Sequence, residues 1–425
     1  MATMTDVSPA RSTNLLSAAP TCAPRPSPAD AGPVQVGPLA VFAVVAAVLL
    51  WFVGSAHGAQ KATLLGRGLG LGLALFHSRF GFTSAWRQLV AVGNGAGLRA
   101  HALLLGTTAT LAAILIGTST GLFGSMPAPA GAPIGLGLIL GSFIFGIGMQ
   151  IGGACASGTL FAVGSGQLSI LLTLAGFIAG SVLYAWQFEL VDNLPSFAPI
   201  VMADHIGWVG SWAATIAVLA LVVLGSRAWQ ARRNPPPTGA VATSCGMARI
   251  VRGAWPMLVG AVVLAVLAAG VLLVSGGIWG VTSAFGLWGA KALQVVGLHP
   301  EAWAFWQQPV QAAQLQAPVL ADKTSLTNIG IIVGAALAAT AAGTYTLRQR
   351  VPIRTATAAL LGGVLLGVGA RLASGCNIGA YLGGISTGSL SGWIWGLTAL
   401  AGTWVGLKLR PLFGLGNPKP NDSIC

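Results

Sequence analysis

The chain has 425 residues, of which 55% are hydrophobic and 7% charged, and its mean hydropathy is +0.80. So few polar side chains cannot clothe a water-soluble domain, and apolar runs of span length make this an all-α integral membrane protein. The formal net charge of +13 belongs to topology, since Lys and Arg collect in cytoplasmic loops, and no aromatic-interleaved basic stripe marks a nucleic-acid partner.

Residues 1–36 are rich in Pro, Ala and Ser and read as a disordered cytoplasmic N-terminus without a cleavable signal. A first membrane half, 37–226, holds expected spans at Leu39–Gly54, Ala62–Ser78, Ala100–Gly121, Ile134–Ile151, Gln167–Phe188 and Ile206–Gly225. The polar stretch 227–252, with Arg227, Arg232, Arg233, Arg249, Arg252 and three consecutive prolines, reads as a cytoplasmic linker. A second half, 253–410, holds expected spans at Pro256–Ser275, Leu326–Tyr345, Ala356–Leu372 and Leu390–Leu407, and 411–425 is a short cytoplasmic tail. The expectation is about ten transmembrane helices.

Two stretches inside these halves match. Gly152-Gly153-Ala154-Cys155-Ala156-Ser157-Gly158 is answered by Ala373-Ser374-Gly375-Cys376-Asn377-Ile378-Gly379, and the same shift superposes Gly141 on Gly362, Gly146 on Gly367 and Gly148 on Gly369. Earlier in each half, Gly81-Phe82-Thr83-Ser84-Ala85-Trp86 is answered by Gly280-Val281-Thr282-Ser283-Ala284-Phe285. Two matched motifs in the same order mark an internally duplicated membrane protein. The linker, the loop with Arg348, Arg350 and Arg354, and the Lys408/Arg410 tail belong to the cytoplasmic side by the positive-inside rule. Counting spans then sends Ile134–Ile151 inward and Ala356–Leu372 outward. Two inverted repeats are therefore expected, with their motif loops face to face at mid-membrane.

The segments around Thr83 and Thr282, and those after Cys155 and Cys376, are Gly-rich and too short to span. They read as short re-entrant half-helices, whose open N-termini supply free N–H groups and a positive dipole end. The thiols of Cys155 and Cys376 and the hydroxyls of Thr83, Ser84, Thr282 and Ser283 add donors, in turns that also hold Gly153 and Gly375. These eight residues make the expected substrate site. A lining of hydrogen-bond donors without a fixed cation suits a small polar anion that must pass, and sulfur on the wall suits a soft, sulfur-bearing one. Plain packing is the other reading of a buried cysteine, and helix capping that of a Thr-Ser pair. Arg87 and Arg371 lie near the motifs, as anion attractors or as topology signals. Cys22, Cys245 and Cys425 have no repeat partner, and neither the cysteines nor the five histidines are spaced for a metal or a disulfide framework. No cofactor is expected. Without a Walker motif the chain does not itself hydrolyse ATP, and it is not expected to be an enzyme.

With these paired motifs the chain resembles the YeeE/YedE family of sulfur-compound transporters, from roughly Ala62 to Leu409. The resemblance implies an hourglass-shaped thiosulfate uptake protein of the bacterial inner membrane, surrounded by membrane lipid, in which Cys155 and Cys376 hand thiosulfate along by S–H hydrogen bonds. Importers of this family usually carry a third cysteine in the first turn, where this chain has Thr83 and Ser84. The resemblance also implies a cytoplasmic sulfur-carrier partner of the TusA type, and both termini are expected in the cytoplasm. Uptake of a small sulfur-containing anion, thiosulfate first, is the expected function. The alternative is a membrane component that handles sulfur or selenium covalently, which needs a reactive and accessible cysteine.

Overall fold

The computed structural model describes residues 33–235, 251–253, 255–347 and 350–419. Apart from residues 33–36, the expected disordered N-terminus lies outside these residues, as do most of the linker and the end of the tail.

Each apolar run closes its backbone hydrogen bonds within itself as a helix, which leaves no N–H or C=O facing lipid. The main helices of the first half are α1 Val36–Ser78, α2 Phe82–Val92, α3 Ala96–Gly117, α4 Leu136–Gly152, α5 Ala156–Gly164, α6 Leu168–Trp186 and α7 Ala203–Arg233. The second half holds α8 Met257–Ser275, α9 Thr282–Val295, α10 Lys323–Ala341, α11 Ile353–Leu372, a π-helical turn Asn377–Gly383 that runs into Gly384–Ser386, and α12 Leu390–Leu409. The named strands among the described residues are a two-residue pair, Ile134–Gly135 against Ser196–Phe197. The protein is an all-α, multi-pass membrane protein.

Among the described residues eight helices are long and apolar enough to cross a membrane, where the sequence leads one to expect ten. The difference has two sources. Val36–Val92 counts as one run although Gly58, at φ +86°, breaks α1, and Leu390–Leu409 falls outside the set. At the start of the expected linker, α7 continues as helix to Arg233. Ala228, Gln230, Ala231 and the two closing arginines favour helix in water as well as in lipid, and cations suit a helix C-terminus.

Helix packing follows the duplication. α1 packs on α10 as α8 packs on α3, α6 packs on α11 as α12 packs on α4, and α5 packs on α10 as Gly384–Ser386 packs on α3. Two helices pack on their own counterparts, α4 on α11 and α1 on α8. Both of these pairs run antiparallel. Along α4 and α11, Gly141 meets Gly369 and Gly148 meets Gly362; along α1 and α8, Gly70 meets Leu267 and Ser78 meets Gly260. Glycine is required at such crossings. A Cβ on Gly362 would stand 2.2 Å from the backbone N of Gly152, and one on Gly68 2.5 Å from the Thr327 carbonyl oxygen. In lipid, where apolar side chains gain nothing by leaving one apolar phase for another, this close backbone contact is what holds the helices together.

Candidate functional site

Both repeat-matched cysteines stand at the N-caps of short helices. Cys155 is extended (φ −86°, ψ −176°) ahead of α5; its Sγ accepts the Gly158 N–H at 3.4 Å and lies 3.7 Å from the Ser157 hydroxyl. Gly158 is small because a Cβ there would stand 3.2 Å from that sulfur. Cys376 is also extended (φ −111°, ψ −168°) and heads the π-helical turn without a side-chain cap bond. Its carbonyl accepts from the N–H groups of Ala380 (2.9 Å) and Tyr381 (3.2 Å). The backbone reaches this position through Ser374 at φ +56° and Gly375 at φ +151°, the second of which only glycine adopts freely. Cys155 and Cys376 are 2% and 0% exposed, belong to one buried cluster, and head segments that touch each other.

The two Thr-Ser turns are fixed differently. Thr83 is buried, and its hydroxyl has no hydrogen-bond partner. Its carbonyl accepts from Gln150 Nε2 at 3.3 Å, and Gln150 Oε1 accepts from Arg87 Nε at 3.0 Å. Ser84 is exposed and donates back to the Gly81 carbonyl at 3.2 Å. In the second repeat, Asn328 Nδ2 donates to the Val281 carbonyl at 2.8 Å and pins the backbone just before Thr282. Ser283 donates to the Thr324 hydroxyl at 3.1 Å.

A polar cavity of about 470 Å³ opens beside the second repeat, with Thr282, Ser283, Thr324, Gly375, Gly379, Lys323 and Arg371 among its lining residues. Of the eight expected site residues, Thr282, Ser283 and Gly375 line this cavity, while Cys155, Cys376 and Thr83 are buried. Ser84 and Gly153 are exposed and line no part of it. Gly153 ends α4 in the left-handed conformation (φ +82°), a helix-stop role that accounts for it. Lys323 and Arg371 also line this cavity, so the hydroxyls of Thr282 and Ser283 share it with two cations. A larger groove of about 1240 Å³ between α3, α7 and α8 is lined mainly by apolar side chains such as Leu103, Ile216 and Val223, and holds none of the expected residues.

A run of aromatic rings joins one Thr-Ser turn to the other. Trp86, Trp395, Phe145, Phe177 and Phe285 follow one another with centroids 6.3, 5.4, 6.2 and 4.8 Å apart. Tyr381 closes on both Trp86 (5.7 Å) and Trp395 (6.1 Å). Trp395 Nε1 donates to the Gly375 carbonyl at 3.2 Å, which ties this apolar wall to the residue before Cys376.

The sequence profile of the sulphur-transport family matches residues 77–405. The chain belongs to that family. This agrees with the resemblance read from the paired motifs. Among similar proteins, the thiosulfate transporter TsuA of Spirochaeta thermophila is 26% identical over 351 residues, covering 78% of this chain and 94% of that one. TsuA of Escherichia coli is 26% identical over 345 residues, covering 79% and 90%. The probable transporter YedE of Escherichia coli is 34% identical over 168 residues, and the match spans only 41% of its length.

In this member of the sulphur-transport family, several residues at the site had escaped the motif reading. Asn377 is wholly buried, and neither its amide nitrogen nor its amide oxygen has a partner. Its counterpart by the repeat shift is Ala156, so a search for matched residues passes over it. Phe305 belongs to the segment between α9 and α10, which has no repeat partner, and Lys323 opens α10 directly after it. The one signal for Lys323 was a lone cation opening an apolar run.

Proposed function

We propose that this protein is an inner-membrane transporter that takes up a small sulfur-containing anion, thiosulfate first, past Cys155 and Cys376. The observation that carries this reading is the burial of both thiols at the N-caps of touching, repeat-matched short helices. There each sulfur stands where backbone N–H groups and a positive helix end favour an anion. Supporting it, the two TsuA relatives are matched along nine-tenths or more of their length. The antiparallel packing of α4 on α11 and of α1 on α8 supports an inverted pair of repeats, because a two-fold axis relating such partners lies across the helices. In the proposed orientation both termini are cytoplasmic and the 470 Å³ cavity opens outside. A thiol donates a weak S–H hydrogen bond and carries no charge of its own, so it can pass an anion on without holding it. A sulfur-carrier protein of the TusA type would receive the sulfur inside.

Covalent handling of sulfur by a reactive cysteine is the weaker reading, since thiols this enclosed are poorly placed for attack on a soluble partner. Proteoliposomes holding the purified protein should accumulate radiolabelled thiosulfate, and unlabelled sulfate should compete less well than unlabelled thiosulfate. Liposomes with and without protein that accumulate label equally would refute the transport reading.

A further inference from the structure

The 470 Å³ cavity holds more positive charge than thiols and hydroxyls supply. Arg371 lies in the last turn of α11 and Lys323 begins α10; both line the cavity, and no Asp or Glu does. The Arg371 guanidinium stands 4.8 Å from the centre of the Phe305 ring and 5.9 Å from that of Tyr184, and its buried Nε has no hydrogen-bond partner. A cation steadied by aromatic faces keeps its N–H groups for another partner, and a cation inside a membrane domain without an acid beside it marks a functional site.

Of the carboxylates nearest in sequence, Glu301 is engaged elsewhere, and Asp322 attracts the adjacent Lys323 ammonium while its oxygens accept two hydrogen bonds of their own. Glu301 accepts from Gln294 at 3.0 Å and pairs with His299 at 2.9 Å, while Asp322 accepts from the Ser325 N–H at 2.7 Å and from Gln314 at 3.0 Å. The first repeat has nothing equivalent at this position. The shift that lays Cys155 on Cys376 lays Gln150 on Arg371, and Gln150 is occupied by Arg87 and the Thr83 carbonyl. The ring over Arg371 also comes from outside the duplication. Residues 296–322 separate α9 from α10, whereas only 93–95 separate α2 from α3, and Phe305 lies in that longer connection.

We propose that Arg371 and Lys323 form a capture subsite for a dianion carrying at least two oxygens on one atom, the chemistry shared by thiosulfate and sulfate, and that Phe305 holds the guanidinium in place for it. This deepens the transport reading of the same cavity and rests on it. The planar guanidinium matches two oxygens of one group, the ammonium adds a point charge, and two cations balance two negative charges. Such a subsite selects an oxyanion over neutral or oxygen-free sulfur compounds before any cysteine is met.

The test titrates thiosulfate and sulfate into the purified full-length protein at low and high sodium chloride, with uptake measured in parallel. Wild type should bind both anions, more weakly at high salt. Arg371→Gln should weaken binding about tenfold or more, Lys323→Gln severalfold, and Arg371→Lys should recover part of the loss. Phe305→Ala leaves both cations in place and should weaken binding about threefold, which tests the subsite even if Arg371→Gln fails to fold. Equal binding by wild type, Lys323→Gln and Phe305→Ala overturns the subsite, as does thiosulfate uptake with unchanged half-saturation in folded Arg371→Gln. Binding that depends on Arg371 in a protein that takes up no thiosulfate overturns the transport reading and leaves the subsite standing.

Discussion

Gly362→Ala tests whether the antiparallel contact between α4 and α11 sets the site. The new Cβ would lie 2.2 Å from Gly152 N, 2.5 Å from Gly152 Cα and 2.9 Å from the Ile151 carbonyl carbon. Relief to an ordinary contact of roughly 3.4 Å requires the backbones to part by about 1.2 Å, and a gap of 0.5–1 Å already forfeits a quarter to a half of each dispersion contact. Neither side can answer with a rotamer change, because the opposing atoms are backbone. The cost therefore falls at or above the upper end of the usual overpacking range, about 3 kcal/mol. With roughly 1–2 °C per kcal/mol for a chain of this size, the melting temperature should fall by about 3–6 °C. The assay is thermal unfolding followed by a thiol-reactive dye, in a background carrying Cys22→Ser, Cys245→Ser and Cys425→Ser, so that the signal reports exposure of Cys155 and Cys376. Gly379→Ala is the control, since a Cβ there meets nothing within 4 Å; it should leave the melting temperature unchanged or slightly raised. A fall smaller than about 1 °C in Gly362→Ala, or an equal fall in Gly379→Ala, would refute the reasoning.

Trp395→Phe keeps the ring stack and loses only the hydrogen bond to the Gly375 carbonyl; it should cost about 1 kcal/mol of stability and slow uptake, and unchanged uptake would show that Gly375 needs no such tether. Thr83→Val removes a buried hydroxyl that has no protein partner, so it should leave the melting temperature nearly unchanged while raising the thiosulfate concentration for half-maximal uptake; an unchanged uptake curve would exclude Thr83 from the path. Thr83→Cys places a thiol in the first Thr-Ser turn, where the family resemblance implies one, and should lower that concentration below the wild-type value.

The match between the two halves was legible because its determinants are local. Gly141, Gly148, Gly362 and Gly369 recur where backbones cross, and Cys155 and Cys376 recur where short helices begin. Helix ends were less legible, since the Arg232 and Arg233 that read as linker also close α7 favourably. Gly58 breaks α1 inside a stretch whose other glycines, Gly66 and Gly70 among them, continue as helix, and composition does not separate the two kinds. The cavity was the hardest part to foresee. Lys323, Arg371 and Phe305 come together from two helices and the unrepeated connection between α9 and α10, a meeting that no periodicity encodes. Asn377 escaped for the opposite reason, because matching the repeats selects what they share and passes over what differs.

The most direct test of the central claim is growth on thiosulfate as sole sulfur source, in a host lacking its own thiosulfate and sulfate importers, with wild type, Cys155→Ala and Cys376→Ala at verified equal expression. The account predicts growth with wild type and little or none with either variant. Equal growth of all three would contradict it, removing both thiols from the path of the anion.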